Sequence, residues 1–262
     1  MTLEAPIASG NTANIYLHEG KIIKLFKEFL PDNEAEQEAS KQSLAYSMGL
    51  PVPCVYEVTK INGQQAIIME LVKGKSIGSI IFNDMAKVEQ YMCLSVDMQL
   101  KIHDVKPEKF VLMSDKLKSQ LKHALGISDK QKNALIDKLN NLSYENRLCH
   151  GDYHVNNLIL GEAGIFIIDW VDASAGDIRA DIYRSYLLYS QHHAELANLY
   201  LRLYCEKSGL SKTDVFIWEP IIAGARLSEN VASENASRLL AKVAKYYPDS
   251  CAGLVGRITP TA

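Results

Sequence analysis

Two periods of hydrophobicity divide the chain. Residues 7–71 alternate apolar and polar positions with the two-residue period of strands, while from Gly74 onward apolar positions return at helical spacing. In the first part a polar loop leads into a strand within residues 7–16, and Glu19-Gly20 turns it into the run 21–26. A second hairpin joins residues 52–59 to 64–71 through Asn62-Gly63. Between the hairpins a helix is predicted from Asn33 to Met48, closed by Gly49 with Pro51 and Pro53 beyond. In the second part Asp84 is placed to cap a helix to about His103, and Ser114 to cap another to about His123. Ser128-Asp129-Lys130-Gln131 reads as a capping box opening a third. Helical pattern continues over residues 182–207 and 213–247, with Gly209 between and Pro220 in the first turn of its helix or kinking it. One stretch interrupts the helices: the short apolar runs 157–160 and 165–168 flank a turn at 161–164 and read as two paired strands.

That interruption carries the densest chemistry. From His150 to Asp181 the chain reads HGDYHVNNLILGEAGIFIIDWVDASAGDIRAD, with Asn157 near the start of one strand and Asp169 at the end of the other. Asp152 lies on the tight turn before the hairpin, where Gly151 permits an unusual backbone. Carboxylates and an amide at these spacings suit one task, holding a divalent cation against a polyphosphate while a hydroxyl loses its proton. A lysine also needs explaining: Lys24 falls inside the apolar run Ile22-Ile23-Lys24-Leu25-Phe26, on the same strand face as Ile22 and Phe26. A charge on a buried face needs a partner.

Composition narrows the class. A chain of 262 residues, 47% hydrophobic and 23% charged, is ordinary for one large or two modest globular domains. A net charge of −3 gives no general field for nucleic acid. MTLEAPIASG has neither the basic flank nor the apolar core of a signal peptide, and no apolar run approaches bilayer length. The expectation is a cytoplasmic protein without membrane or nucleic-acid partners. Cys54, Cys93, Cys149, Cys205 and Cys251 are odd in number and scattered, which reads as reduced thiols, with Cys149 in the core beside Leu148. The lysines between Lys101 and Lys138 alternate with acids and read as a solvated helical face. His150 and His154 are four apart, as in a zinc helix, but Gly151 between them argues against a helix and the acid of the zinc motif would have to follow the first histidine directly.

The pattern His150-Gly151-Asp152, then Asn157, Ile168-Asp169-Trp170, Gly176-Asp177 and Asp181 resembles the catalytic loop and metal aspartate of the aminoglycoside phosphotransferase and choline kinase superfamily. The five-residue interval from Asp152 to Asn157 is also that of the related protein-kinase signature. The resemblance implies an α+β, two-lobed protein-kinase-like fold. Its small antiparallel β lobe with one helix, residues 1–72, would bind nucleotide, and a larger, mainly helical lobe, residues 73–262, would hold the catalytic loop and the acceptor. It implies ATP and Mg²⁺ as cofactors, with Asp152 as catalytic base and Asn157 and Asp169 as metal ligands. Lys24 would contact the α- and β-phosphates, partnered by one of Glu34, Glu36 and Glu38, of which Glu38 fits the family's helix best. Ser9, Asn11 and Thr12 would donate to phosphate oxygens in a loop that has only Gly10 of the usual glycines. Met69 would back the adenine, and the chain from Glu70 to Val72 would receive its edge. His150 would pack under the loop and bond a backbone group, and His103 would pack or cap. Asp181 would cap the next helix, beginning at about that residue, or hold the loop, and Asp172 would face the acceptor.

The stretch from Asp169 to Asp181 is too short for a peptide platform, so the acceptor implied is a small molecule with a hydroxyl. Aminoglycosides come first, with choline or ethanolamine, sugars, macrolides and homoserine-like compounds as alternatives. Glu219, Arg226, Glu229 and Glu234 are acceptor-side candidates, equally readable as inter-helix salt bridges. A catalytically silent nucleotide-binding module is the alternative from another class, though Asp152, Asn157 and Asp169 are all present.

Overall fold

The computed structural model of the chain describes residues 3–231 and 233–248. Contacts divide it into two compact units, Met1–Phe110 with Arg147–Ser174, and Val111–Asn146 with Ala175–Ala262. Among the described residues no helix is long and apolar enough to cross a membrane.

The first unit opens with strands β1 (Ala8–Ser9), β2 (Ala13–His18) and β3 (Lys21–Phe26), followed by helix α1 (Glu34–Ser47) and strands β4 (Val55–Ile61) and β5 (Gln64–Glu70). They form an antiparallel sheet in the order β1-β2-β3-β5-β4. Both hairpin turns have two central residues with positive φ, Glu19 and Gly20 at 47° and 75°, Asn62 and Gly63 at 52° and 87°. These values match the twist of the flanking strands. The run expected over 52–59 becomes a strand only at Val55, because Pro51 and Pro53 have no N–H to give a ladder. Side chains of the sheet split by parity. Phe26, Ile67 and Met69 pack with Ala35 and Ala39 of α1, while Ile23, Leu25, Ile61 and Ala66 form a second cluster.

The unit continues through β6 (Gly74–Ser76), α2 (Ile77–Asn83) and α3 (Val88–His103), and is completed by β7 (Arg147–Cys149), β8 (Leu158–Gly161) and β9 (Gly164–Ile167). The hairpin β8–β9 is tighter than its sequence suggests, since Gly161 pairs with Gly164 and leaves a two-residue turn; β6 adds a third strand. Helix α2, capped by the Ser76 hydroxyl, is an element that the helical pattern alone did not separate from α3. Asp84 caps a short 3₁₀ turn, Met85–Lys87, that feeds α3.

The second unit is helical: α4 (Met113–His123), α5 (Asp129–Asn140), α6 (Ile178–Ser190), α7 (Ala194–Ser208), α8 (Lys212–Phe216), α9 (Glu219–Arg226) and α10 (Ala236–Tyr246). The Ser128 capping box forms with Gln131 as expected. Ser114 does not cap α4; the helix starts one residue earlier and its cap position, Leu112, offers no side-chain bond. Nor does Asp181 cap a helix. Asp177 accepts from the Arg179 N–H and starts α6 at Ile178, leaving Asp181 buried one turn in. The pattern over 182–207 is broken at Gln191–His193, and that over 213–247 becomes three helices, with Pro220 in the first turn of α9. Cys54, Cys93, Cys149 and Cys205 form no disulfide with one another and Cys149 is in the core; Cys251 lies outside the described residues.

Candidate active site

The site is built within the first unit, from the sheet, α1 and the hairpin β8–β9. Lys24 on β3 is 7% exposed and its ammonium meets two carboxylates, Glu38 Oε1 at 2.6 Å and Asp169 Oδ1 at 3.0 Å. Of the three glutamates early in α1, the helix turns Glu38 inward because Ala35, Glu38, Ala39, Gln42 and Ala45 make one buried stripe at helical spacing. That stripe was readable in the sequence and separates Glu38 from Glu34 and Glu36. Burial is the largest single influence on the lysine and lowers its pKa. The charges and hydrogen bonds of Glu38 and Asp169 together outweigh it, so Lys24 is held above the ordinary lysine range. Glu38 is pushed up, first by burial, against the pull of Lys24 and with Asp169's charge adding to the rise.

Asp169 follows β9 with φ of 66°, a left-handed backbone that is uncommon for a residue with a side chain. The chain leading into it is clamped by side chains. His150 Nε2 donates to the Ile168 carbonyl at 3.1 Å, and Trp170 Nε1 to that of Ile167 at 3.1 Å. His150 Nδ1 accepts the Asp152 N–H at 3.3 Å, so the ring carries its proton on Nε2 and ties the loop that holds Asp152 to the Asp169 turn. Both ring nitrogens are thereby engaged, which removes His150 as a zinc ligand. Gly151, with φ of 82°, is pressed against the same turn: a Cβ there would lie 2.5 Å from the Asp172 carbonyl oxygen. Tyr153, fully buried, fixes the loop from below through its hydroxyl on the Ser95 carbonyl at 2.6 Å.

Asp152 and Asn157 are brought together. The Asn157 amide donates to the Asp152 carbonyl at 2.9 Å and to its carboxylate at 3.3 Å. With its NH₂ turned to Asp152, the amide oxygen of Asn157 points elsewhere, and Asn157 and Asp169 leave the same end of the hairpin, since the Ile168 N–H bonds the Asn157 carbonyl at 3.0 Å. An amide oxygen and a carboxylate are hard donors that suit Mg²⁺, and Asp169 already faces a cation in Lys24. His154 Nε2 lies 3.5 Å from the Asp152 carboxylate and 3.4 Å from the Asn157 amide, a contact that sequence spacing did not reveal.

The remaining residues expected to meet nucleotide lie along the sheet or at its ends. The Ser9 hydroxyl bonds Asn14 Oδ1 at 2.7 Å, and Asn11 and Thr12 form the short loop between β1 and β2, with the Thr12 carbonyl accepting the Lys27 N–H at 2.9 Å. Met69 is buried and touched by the Gln42 amide at 3.7 Å. Glu70 ends β5 with its carboxylate on the Cys54 N–H at 3.0 Å, and Val72 follows in the connection to β6. Gln42, which also donates to the Pro53 carbonyl at 2.8 Å, was not singled out in the sequence.

Residues 4–216 match the model of the phosphotransferase enzyme family. The chain belongs to that family. Membership makes it an ATP-dependent kinase of small molecules. Solved structures show the same protein-kinase-like fold at low identity. A thermostable variant of aminoglycoside phosphotransferase APH(4)-Ia, in ternary complex with AMP-PNP and hygromycin B, aligns with a TM-score of 0.66 at 12% identity over 92% of this chain and 91% of its own. Choline kinase LicA from Streptococcus pneumoniae gives 0.63 at 16% identity over 94% of each chain. Amicoumacin kinase hAmiN, in complex with AMP-PNP, Ca²⁺ and Ami, gives 0.59 at 15% identity over 92% and 85%. No curated protein matches the sequence.

The four acceptor-side candidates of this phosphotransferase are all engaged within the second unit. Glu219 accepts from Lys242, Lys245, Tyr246 and Tyr183 at 2.7–3.0 Å. Arg226 pairs with Glu229 and Glu234, Arg184 with Glu229, and Arg238 with Glu234.

Proposed function

We propose that the protein moves the γ-phosphoryl group of Mg²⁺-ATP to a hydroxyl of a small molecule, with an aminoglycoside as the first acceptor to consider. The observation that carries the reading is the double engagement of Lys24 by Glu38 and Asp169, beside an Asp152 held by Asn157. These are the parts such chemistry needs: a cation for the phosphates, donors for a metal, and a carboxylate placed by its own loop.

Residues 1–72 would supply the nucleotide contacts. Ser9, Asn11 and Thr12 offer donors to phosphate oxygens, Lys24 neutralises the α- and β-phosphates, and Met69, Glu70 and Val72 receive the adenine. Residues 73–262 would supply the catalytic loop and the acceptor side. Asp152 takes the proton of the acceptor hydroxyl as the oxygen attacks phosphorus, and Asn157 keeps its carboxylate in place. Asn157 and Asp169 would hold Mg²⁺, which offsets charge on the phosphates when bound. The ternary complex of APH(4)-Ia with AMP-PNP and hygromycin B supports both the nucleotide and the acceptor class, and a cytoplasmic location is the setting that matches them. Choline is the second acceptor to consider, because choline kinase LicA is as similar in fold.

The test is Mg²⁺-dependent ADP release across aminoglycosides, choline, ethanolamine, sugars, macrolides and amino acids, with Asp152→Ala as the blank. Stimulation by an aminoglycoside, absent in the blank, is the expected result. Stimulation by choline alone moves the acceptor to the second reading, and a protein that binds no nucleotide overturns both.

A further inference from the structure

Helix α1 carries a second polar residue on the side that meets the site. The Lys41 ammonium, on the residue three positions after Glu38, donates to the carbonyl of Val171, two residues beyond Asp169. Residues three apart on a helix are neighbours, so Glu38 and Lys41 reach out from adjacent positions. Their targets close a ring: Glu38 holds Lys24, Lys24 holds Asp169, and the chain from Asp169 to Val171 returns to α1 through Lys41.

The ring matters because the Asp169 turn does not hold itself. A left-handed φ of 66° is a sparsely populated backbone that aspartate tolerates better than most side chains, and the surroundings help to hold it. Two of the clamps, His150 and Trp170, act on carbonyls before Asp169, those of Ile168 and Ile167. Lys41 acts on the carbonyl beyond it and comes from α1, the helix that also fixes Lys24.

We propose that Lys41 is a positioning residue for this phosphotransferase: it ties the turn that presents Asp169 to the helix that holds Lys24, so that the metal-side carboxylate and the phosphate-side ammonium share one frame. The proposal rests on the reading of Asp169 as a metal ligand. In this role Lys41 acts on nucleotide through the Asp169 turn, by its bond to the Val171 carbonyl, and not as a ligand of phosphate or acceptor.

The experiment measures binding of AMP-PNP by calorimetry with Mg²⁺ and again with EDTA, in wild type, Lys41→Met and Lys41→Arg, beside thermal melts without ligand. Lys41→Met keeps the aliphatic stem and loses the donor. It is expected to lose about tenfold in affinity with Mg²⁺, the scale of one charge-assisted hydrogen bond, and to match wild type in EDTA. Lys41→Arg is expected to recover most of the loss. Should Lys41→Met fail to fold, Lys41→Gln, which keeps a polar end but falls short of Val171, takes its place. Equal losses with and without Mg²⁺ would make Lys41 a general structural residue and overturn the proposal. A wild-type gain from Mg²⁺ that Lys41→Met retains in full overturns the role of Lys41 alone. A wild type in which Mg²⁺ adds nothing to nucleotide affinity overturns the metal reading of Asp169, and this proposal with it.

Discussion

Two buried carboxylates in this molecule are held by lysines, and they are held in opposite ways. On Glu219 in the second unit, two ammonium groups and two phenols converge on one carboxylate, and every donor lies within 3.0 Å. Around Glu38 in the first unit the ratio is reversed, with one ammonium, Lys24, serving two carboxylates. The titration follows the count. Burial would raise Glu219, but the bonds from Tyr246, Lys242 and Lys245 bring it down to about 2, whereas Glu38 is driven upward by burial with Asp169 adding to the rise. A carboxylate with more donors than it needs is a finished structural joint. Two carboxylates sharing one cation form a joint with room for another cation, and the second of them, Asp169, is the more exposed.

The largest effect should come from the region where charge is left over. Asp152→Ala is expected to lower turnover by about 10²–10⁴, the usual worth of a positioned general base, while AMP-PNP binding stays close to wild type. Steady-state ADP release beside calorimetry checks both halves. Turnover that survives the substitution would take the chemistry away from this loop. Glu38→Ala comes next, read as stability. Removing one partner of a buried ion pair costs about 3–5 kcal/mol, and the lower end applies because Lys24 keeps Asp169. Denaturant unfolding measures it, and a cost under about 1 kcal/mol would mean that the pair is dispensable to the fold.

How far the sequence reaches differs between the same two regions. Near Lys24 the signals are local: strand parity places the lysine on the face of Ile22 and Phe26, and the Ala35-Glu38-Ala39-Gln42 stripe selects its partner. Asn62-Gly63 and Glu19-Gly20 name their own turns through positive φ. In the second unit the helices were visible but their joints were not. The break at Gln191–His193 carries no glycine or proline, and Asp177 and Asp181 compete as caps four residues apart. Contacts such as Lys41 to Val171 link residues 130 positions apart, and no period along the chain encodes them. The convergence of four donors on Glu219 from α6 and from the region of α10 is of the same kind.

Acid should act on the two carboxylates differently. The folded pKa of Glu219 lies below its unfolded value of 4.5, so its contribution is complete above about pH 4.5 and is lost as pH falls toward about 2. The size expected is on the order of 2 kcal/mol, discounted because Lys245 is largely exposed and screened. Unfolding curves between pH 5 and pH 2 should therefore be flatter in Glu219→Gln than in wild type. Parallel curves would show that the Glu219 joint is not the fully compensated one.

The smallest shift expected is the one that most directly separates the two joints. Asp169→Asn removes the surplus carboxylate and leaves Lys24 and Glu38 as a balanced pair, and asparagine tolerates the left-handed backbone that residue 169 requires. Without ligand, the variant should unfold no more easily than wild type, with a gain of up to about 1 kcal/mol, because functional charge is commonly kept at a cost in stability. The Mg²⁺-dependent part of AMP-PNP binding should meanwhile disappear. A variant destabilised by more than about 1 kcal/mol would place Asp169 with Glu219, as a carboxylate the fold depends on. Stability retained together with lost Mg²⁺ dependence would make Asp169 the carboxylate held in reserve for a cation, the property that Glu219, with all its donors in place, does not have.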